Sequence, residues 1–201
     1  MSQPGAQRVV LLDSGGANLG SVQAAFARMG VDAPVTSDHA RIGAASHVVL
    51  PGVGTAANAM QKLRDNGLDK LLPRLSQPLI GICVGMQLLY EGSEENDTEC
   101  LGLLPGRVRR LRPSPGVRVP HMGWNRLRAT HSHPLVGGLD GQWMYFVHSY
   151  AAPSDDLTLA DCEHGDLFSA VTASGQVMGA QFHPERSSAA GARLLRNFLE
   201  L

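Results

Sequence analysis

Short apolar segments, each followed by a turn of small residues and a helical pattern, constrain the fold of this chain most strongly. The segments span residues 8–13, 47–50 and 78–82. An uninterrupted apolar run of this length is typical of a parallel strand that is buried on both faces. Strand, turn and helix in repeated order predict an α/β fold, with a mostly parallel central sheet and helices on both faces.

The second half of the chain has a different pattern. Strand-like pieces lie between glycine and proline turns, at residues 107–111, 117–120, 142–148 and 177–182. We expect these pieces to add antiparallel strands at the sheet edge. The spacing of apolar residues predicts helices at 21–29, 55–65, 84–90 and 189–199, and the acidic residues 91–99 are predicted to form a surface loop.

Bulk composition limits the class of protein. The 201 residues are 43% hydrophobic and 17% charged, so we expect a single globular domain over 1–201, with residues 1–7 as a loose N-terminal extension. The net charge of −1 gives no electrostatic reason to expect nucleic acid or an anionic membrane as a partner. No apolar run reaches the roughly 18 residues of a membrane span, and no signal region is present, so a cytoplasmic protein with reduced thiols is expected.

A cysteine with glycines two positions away on each side is the first chemical motif. Cys83 lies between Gly81 and Gly85, after a predicted strand and before a predicted helix. This is the spacing of a nucleophile elbow, in which small neighbours permit a sharp turn and the helix N-terminus favours a thiolate. The N–H of Val84 would point to where an oxyanion forms. A buried structural cysteine is the alternative interpretation of this segment alone.

A His-Pro-Glu sequence near the end of the chain supplies the groups that a thiol nucleophile needs. Imidazole accepts a proton and returns it to a leaving amine near neutral pH, and a carboxylate fixes its tautomer. His183 and Glu185 would share one face of a strand, with Pro184 holding the spacing rigid. Together with the elbow, this sequence predicts a triad of Cys83, His183 and Glu185.

The remaining cysteines and histidines give weaker signals. Cys100 and Cys162 lack the surroundings of an elbow and are interpreted as structural or incidental. His131 and His133 lie in a loop without nearby cysteines or clustered carboxylates, so a solvated loop is favoured over a metal site. We therefore expect neither a metal ion nor an organic cofactor.

The segments GICVGMQ and FHPE together resemble the class I, triad-type glutamine amidotransferases, and the resemblance extends from the first strand to the last helix. It implies a flavodoxin-like α/β sandwich and hydrolysis of glutamine to glutamate and ammonia. Within that family, the PGVG, PHMGWN, FVHSY and FHPERS segments are similar to the glutaminase subunits of imidazole glycerol phosphate synthase, in histidine biosynthesis. PHMGWN and FVHSY discriminate, because the elbow and His-Pro-Glu are shared by the whole class.

The resemblance implies roles by position. Cys83 would be the nucleophile, His183 the acid and base, and Glu185 its orienting partner. The N–H groups of Val53 and Val84 would form the oxyanion hole. The residues implied in binding glutamine are Gly52, Gly54, Gln87, Glu95, Ser149 and Tyr150, and those implied at a partner interface are Asn18, Trp124, Tyr145 and Arg186. Core packing is the alternative for Trp124 and Tyr145.

The implied partner is the cyclase subunit of the synthase, a (β/α)8 barrel that would form a heterodimer with this chain. It would use the ammonia to make imidazole glycerol phosphate and an aminoimidazole carboxamide ribotide. One segment departs from the family pattern: residues 13–19 read DSGGANL, where DYGMGNL is the frequent form. Partner contacts at this turn therefore stay open.

Three alternatives to this function also stay open. The same chemistry could serve another acceptor, as in anthranilate, aminodeoxychorismate or pyridoxal phosphate synthesis. A free-standing hydrolase of γ-glutamyl peptides would share the elbow but use no partner. A catalytically inactive binding subunit is disfavoured by the intact Cys83, His183 and Glu185.

Overall fold

An eight-stranded sheet forms the centre of the molecule, in a computed structural model that describes residues 8–14 and 18–201. The predicted extension 1–7 and residues 15–17 of the first turn lie outside this part. The strands are β1 Val9–Leu12, β2 Val35–Thr36, β3 His47–Gly52, β4 Leu79–Cys83, β5 Tyr90–Ser93, β6 Thr98–Glu99, β7 Leu104–Arg110, β8 His121–Arg126, β9 Arg128–Ala129, β10 Trp143–His148, β11 Tyr150–Ala151, β12 Thr158–His164, β13 Asp166–Ser174 and β14 Val177–Ala180. The α-helices are α1 Leu19–Ala27, α2 His39–Gly43, α3 Ala56–Asp65, α4 Leu68–Leu71, α5 Val84–Gln87 and α6 Ser188–Leu199.

The central sheet is mostly parallel. Its strand order is β2-β1-β3-β4-β14-β13-β12-β9. Adjacent strands in the series β2-β1-β3-β4-β14 run parallel. Beyond β14, the strands β13, β12 and β9 continue the sheet with antiparallel pairs. The predicted α/β fold class, with a mostly parallel sheet and antiparallel additions, is confirmed.

Apolar strands and one-sided helices supply the core. β1, β3 and β4 are buried along their whole length, as their uninterrupted apolar runs predicted. α1, α3 and α6 each bury a stripe of side chains that includes Phe26, Met60 or Phe198. β3 and β4 end together, with Gly52 opposite Cys83. Two predicted functional segments therefore meet at the carboxyl edge of the sheet, where ligands of such folds bind.

Two smaller sheets lie outside the central one. β8 and β10 pair antiparallel, with Trp124 opposite Tyr145 and Met122 opposite Val147. The other sheet has the order β11-β7-β5-β6. Because alternate residues of a strand share a face, Met122, Trp124, Trp143 and Tyr145 lie on the same side of the β8–β10 pair.

Three local predictions are wrong. The helix predicted at 84–90 ends at Gln87, and β5 begins at Tyr90. The short apolar run before Tyr90 is compatible with either state, so its spacing did not decide the boundary. The loop predicted at 91–99 instead contains most of β5 and all of β6, in which the polar residues Ser93 and Thr98 are buried. Residues 117–120 do not form the predicted strand. β8 starts at His121, because Pro120 has no N–H to donate to a neighbouring strand.

The placement of the later strands also differs from the prediction. β7 and β10 belong to the smaller sheets rather than to the central one. β14 lies inside the central sheet and runs parallel to β4, although it was expected as an antiparallel edge strand. The antiparallel additions are β13, β12 and the short β9. The sequence patterns do not reveal β12 and β13, because buried polar residues such as Asp161 and Ser169 interrupt their apolar character.

Glycines at the carboxyl edge allow α5 to pack directly on the backbone of the sheet. A Cβ on Gly85 would lie 1.8 Å from the carbonyl oxygen of Leu50. A Cβ on Gly52 would lie 2.3 Å from the nitrogen of Gly85, and one on Gly81 would lie 2.5 Å from its oxygen. No side chain fits at these contacts, so the glycines flanking Cys83 are required by backbone packing as well as by the turn.

Gly85→Ala should therefore destabilise the fold, with a loss in the free energy of unfolding of about 2–4 kcal/mol, because the backbone cannot move away from Leu50 without disturbing β3. Gly43→Ala is the matched control, since Gly43 ends α2 with open space at the Cβ position. That change should leave stability within about 1 kcal/mol of the wild type. Urea unfolding followed by circular dichroism measures both, and equal stability of the two variants would contradict the packing argument.

Candidate active site

A cavity of about 540 Å³ opens at the carboxyl edge of the parallel strands. The predicted site residues that line it are Asn18, Val53, Gly54, Cys83, Val84, Gln87, Glu95, Ser149, Tyr150, His183 and Arg186. The remaining predicted residues, Gly52, Trp124, Tyr145 and Glu185, lie outside its lining. Residues from strands far apart in sequence thus meet around one space that is large enough for an amino acid.

Cys83 occupies the sharp turn between β4 and α5. Its backbone has φ 55° and ψ −112°, outside the helical and extended regions. A non-glycine residue in such a conformation costs on the order of 1–3 kcal/mol, which the surrounding packing must offset. The side chain is 4% exposed, and its sulfur lies 3.9 Å from the carbonyl oxygen of Val147. The turn therefore presents the sulfur to the cavity at the N-terminus of α5.

His183 and Glu185 form a buried pair beside that sulfur. Nδ1 of His183 lies 2.8 Å from Oε1 of Glu185, and both side chains are almost fully buried. The pair does not share a strand face as predicted. β14 ends at Ala180, and His183 caps a 3₁₀ turn over Pro184–Arg186, since proline at the first turn position favours that geometry. The carboxylate fixes the proton on Nδ1 and leaves Nε2 for the sulfur.

Backbone contacts tie His183 to strand β10. Its N–H donates to the carbonyl of Tyr145 at 2.9 Å. Its own carbonyl accepts from the hydroxyl of Ser187 at 2.6 Å, and that hydroxyl accepts in turn from the N–H of Tyr145 at 3.0 Å. The imidazole is therefore positioned from both its backbone and its side chain.

Asn18, which the resemblance implied at a partner interface, contacts the carboxylate of Glu185. Its amide nitrogen lies 2.5 Å from Oε1 of Glu185 and 3.4 Å from Nδ1 of His183. No sequence pattern indicates this contact, because Asn18 and Glu185 are distant in the chain. An amide donor on the carboxylate helps to keep Glu185 ionised and correctly turned toward the imidazole.

The electrostatics of the pair favour a protonated imidazole beside an ionised carboxylate. Burial alone lowers the pKa of His183, but its contacts with Cys83 and Glu185 outweigh burial and raise that pKa to about 10. Burial raises the pKa of Glu185, but the hydrogen bonds from His183 and Asn18 lower it overall. A protonated His183 thus places a positive charge beside the Cys83 sulfur.

The far wall of the cavity is anchored by side-chain contacts. Oε2 of Glu95 accepts from the N–H of Ala56 at 2.7 Å, at the start of α3. Nε2 of Gln87 donates to the carbonyl of Tyr150 at 2.8 Å and to Oε1 of Gln181 at 3.1 Å. Gln181 is fully buried and was not among the predicted site residues. Its position next to the Phe-His-Pro-Glu segment was the only signal that could have found it.

A comparison with known proteins shows the family to which this chain belongs. The family described as "Glutamine amidotransferase class-I" matches residues 10–201. The chain belongs to this family. A similar relative, "Imidazole glycerol phosphate synthase subunit HisH" of Xanthomonas euvesicatoria pv. vesicatoria (strain 85-10), is 58% identical over 194 residues, which cover 96% of this chain and 97% of the relative. The protein of the same name from Xylella fastidiosa (strain Temecula1 / ATCC 700964) is 56% identical with the same coverage.

Solved structures agree with the fold of this class I amidotransferase. One described as "Crystal structure of glutamine amidotransferase" superimposes with a TM-score of 0.73 at 23% identity, covering 96% of this chain and 97% of that one. Another, described as "Structure of PurLQS from Thermotoga maritima", gives a TM-score of 0.70 at 18% identity, covering 97% of this chain and 98% of that one. At these identities the likeness concerns the fold alone.

An exposed aromatic face lies beside the cavity of this amidotransferase. We define the face by Met122, Trp124, Trp143 and Tyr145 on β8 and β10. Met122, Trp124 and Trp143 are 64%, 49% and 54% exposed. Trp124 packs edge-on against Tyr145, with ring centroids 5.9 Å apart, and the guanidinium of Arg186 lies 6.0 Å from the Tyr145 ring. The alternative of core packing is wrong for Trp124, while Tyr145 is partly buried.

The loop histidines singled out in the sequence, His131 and His133, have local partners in this amidotransferase. Nδ1 of His131 lies 2.8 Å from the carbonyl of Thr158, and Nδ1 of His133 accepts from the N–H of Leu135 at 3.1 Å. Within residues 8–14 and 18–201, no group of three His, Cys, Asp or Glu side chains is placed to hold a metal ion. No helix of that part is long and apolar enough to cross a membrane.

Cys83 should react with iodoacetamide at pH 6 at least about tenfold faster than the other cysteines. Burial raises the pKa of Cys100 to about 11 and that of Cys162 to about 12, whereas the Cys83 sulfur lies next to His183. Mass spectrometry of quenched samples measures the rate at each thiol. The fast phase should disappear in Cys83→Ala and persist in the matched control Cys100→Ala; a fast phase that survives Cys83→Ala would refute the expectation.

Proposed function

We propose that this chain hydrolyses glutamine to glutamate and ammonia, with Cys83, His183 and Glu185 as a catalytic triad, and delivers the ammonia to a synthase subunit. The observation that carries the proposal is the strained Cys83 turn, which lies beside the buried His183–Glu185 pair at the edge of one cavity. A nucleophile, a base and an orienting carboxylate in this order fulfil the requirements of amide hydrolysis through a covalent intermediate.

Each step of the reaction uses a group in the cavity. The thiolate of Cys83 attacks the carboxamide carbon of glutamine, and the N–H groups of Val53 and Val84 stabilise the oxyanion. The imidazolium of His183 gives its proton to the departing nitrogen, so ammonia leaves and a glutamyl thioester remains. Neutral His183 then takes a proton from water, whose oxygen attacks the thioester. Glutamate leaves, the thiolate forms again, and the imidazole keeps the proton.

The substrate would lie along the wall opposite His183. Glu95 offers a carboxylate to the α-ammonium group of glutamine, and its anchoring at α3 reduces the entropy lost on binding. Gln87 has its amide nitrogen engaged and offers Oε1. The backbone groups of Ser149 and Tyr150, and the glycine-flanked turn of Gly52, Val53 and Gly54, complete the binding site. Gly54 has a φ of +89°, a conformation that glycine adopts at little cost.

The partner that we propose is the cyclase subunit of imidazole glycerol phosphate synthase, a (β/α)8 barrel, in a cytoplasmic heterodimer. The relatives that are 56% and 58% identical carry the name of a subunit of that synthase. Ammonia is largely protonated in water near pH 7 and is then no nucleophile. A glutaminase that feeds a synthase therefore requires a docked partner and a sheltered path for the ammonia.

The aromatic face is the proposed docking surface. Its exposed tryptophans and methionine form an apolar patch of the kind that marks protein interfaces. Arg186 joins the patch to the cavity, since it contacts Tyr145 and also lines the cavity. Asn18 lines the cavity as well and contacts the triad carboxylate. A partner on this face would thus lie beside the cavity in which the ammonia is released.

Glutamate release from glutamine, measured with and without the cyclase subunit and its ribonucleotide ligand, tests the function. We expect low activity alone, a large rise with both, and a loss of several powers of ten in Cys83→Ala. Cys100→Ala should retain the activity of the wild type.

The outcomes of this assay separate the alternatives. High activity that ignores the cyclase would point to another acceptor or to a free-standing hydrolase. No activity under any condition would point to a binding subunit.

Trp124→Ala should weaken the complex with the cyclase subunit by about 30-fold, because a half-exposed tryptophan at the centre of an apolar patch is a typical hot spot. The glutaminase fold should be unaffected. Leu167→Ala is the matched control, since Leu167 is 41% exposed on β13 and is not one of the residues that define the face. Titration calorimetry gives both affinities, and equal binding of the two variants would move the docking surface elsewhere.

A further inference from the structure

A continuous series of polar groups, most of them buried, joins strand β8 to the sulfur of Cys83. Every step is a hydrogen bond between 2.8 and 3.9 Å long. The groups, in order from β8, are Asn125, His121, His148, the carbonyl of Tyr150, Gln87, Gln181 and Cys83. His121, His148, Gln87 and Gln181 are all buried, so their polar atoms depend on partners within the protein.

The backbone carbonyl of Tyr150 determines which ring nitrogens of His148 and His121 carry a proton. The Tyr150 carbonyl only accepts, so Nδ1 of His148, 2.9 Å away, carries a proton. Nε2 of a neutral His148 is then an acceptor, and Nδ1 of His121 donates to it at 3.1 Å. Nε2 of His121 accepts in turn from the amide of Asn125 at 3.3 Å. Both tautomers are therefore determined by the geometry.

The Tyr150 carbonyl also fixes the orientation of the side-chain amides of Gln87 and Gln181. Nε2 of Gln87 donates to Tyr150 at 2.8 Å and to Oε1 of Gln181 at 3.1 Å, and this uses both of its protons. Rotation of the Gln87 amide would place its oxygen against a carbonyl oxygen. Oε1 of Gln181 is thereby held toward Gln87, and its Nε2 faces the Cys83 sulfur at 3.9 Å. The sulfur therefore has an N–H donor beside it rather than an oxygen.

The two histidines remain neutral near pH 7, as this arrangement requires. Burial and then the neighbouring His164 lower the pKa of His121 to about 4, and burial followed by His121 lowers the pKa of His148 to about 3. The other groups that act on His148 are Tyr150, His164 and His183. His121 stacks between Phe146 and His164, with centroid distances of 4.8 and 4.0 Å, which fixes the plane of its ring.

We propose that Gln181 is a further catalytic residue, whose amide N–H stabilises the Cys83 thiolate, and that His121 and His148 are positioning residues that hold this amide in place. The proposal rests on the nucleophile role proposed above for Cys83. A hydrogen bond to a charged acceptor is about twice as strong as one to a neutral acceptor. The Gln181 contact therefore stabilises the thiolate more than the thiol.

The pH profile of Cys83 alkylation by iodoacetamide tests the direct contact in the full chain. Gln181→Met keeps the size of the side chain and removes the donor, while Gln181→Glu keeps its shape and replaces the donor with a carboxylate. We expect the midpoint of the profile to move up by about one pH unit in Gln181→Met. In Gln181→Glu it should move further, because a like charge opposes ionisation. Profiles of both variants that coincide with the wild type overturn the proposal.

Variants of His121 test the positioning role. His121→Phe keeps an aromatic ring and removes the donor to His148, whereas His121→Asn restores an N–H near the position of Nδ1. The matched control is His47→Phe, since His47 is also buried and has a pKa lowered by burial but lies at the start of β3.

His121→Phe should raise the alkylation midpoint and lower kcat about tenfold, and His121→Asn should stay within about threefold of the wild type. Equal effects of His121→Phe and His47→Phe on both readouts, with changes only in melting temperature, overturn the positioning role.

The two readouts separate this proposal from the proposed function. Alkylation reports on the sulfur and the amide without glutamine or a partner. Shifted alkylation profiles without glutamate release by the wild type would support the Gln181 contact and count against the proposed function. Glutamate release together with unshifted profiles would retain the function and overturn the role of Gln181.

Discussion

The packing of α5 against the carbonyl of Leu50 is the contact on which the rest of the site depends. Gly85 approaches that oxygen more closely than any side chain allows, so the chain must turn from strand to helix within one residue. That residue is Cys83, which takes a positive φ as a consequence. The exposure of the sulfur to the cavity is therefore set by backbone packing between β3, β4 and α5, and the cysteine side chain supplies only the chemistry.

The parallel half of the fold could be predicted from the sequence because burial on both faces leaves a simple signal. Residues 8–13, 47–50 and 78–82 correspond closely to β1, β3 and β4. The antiparallel half could not be predicted to the same extent. β12 and β13 bury Thr158, Asp161 and Ser169 among their apolar residues, and Asp161 is balanced by an ion pair with Arg128 at 2.7 Å. Such a partner is invisible in a local pattern, so the strands lacked an apolar run.

The site was predictable where its residues follow neighbouring strands directly. Cys83 ends β4 and His183 follows β14, and these strands are adjacent and parallel, so their motifs meet at one edge. Gln181 and the amide of Asn18 were not predictable in the same way. Their contacts, with Cys83 and Glu185, depend on side-chain orientation between segments that are remote in sequence. Polar groups of this kind require the three-dimensional structure before any chemistry can be assigned to them.

The side chain and the backbone of Tyr145 make different contacts, and this difference matters for protein engineering. Its ring lies on the aromatic face, whereas its backbone carbonyl accepts from the N–H of His183. A change of side chain at this position alters the surface, but a change in the path of β10 would displace the imidazole. Redesign of the surface for a new binding protein is therefore safest on β8, where the side chains of Met122 and Trp124 are exposed. Within the described part of the chain, β8 makes no backbone hydrogen bond to His183.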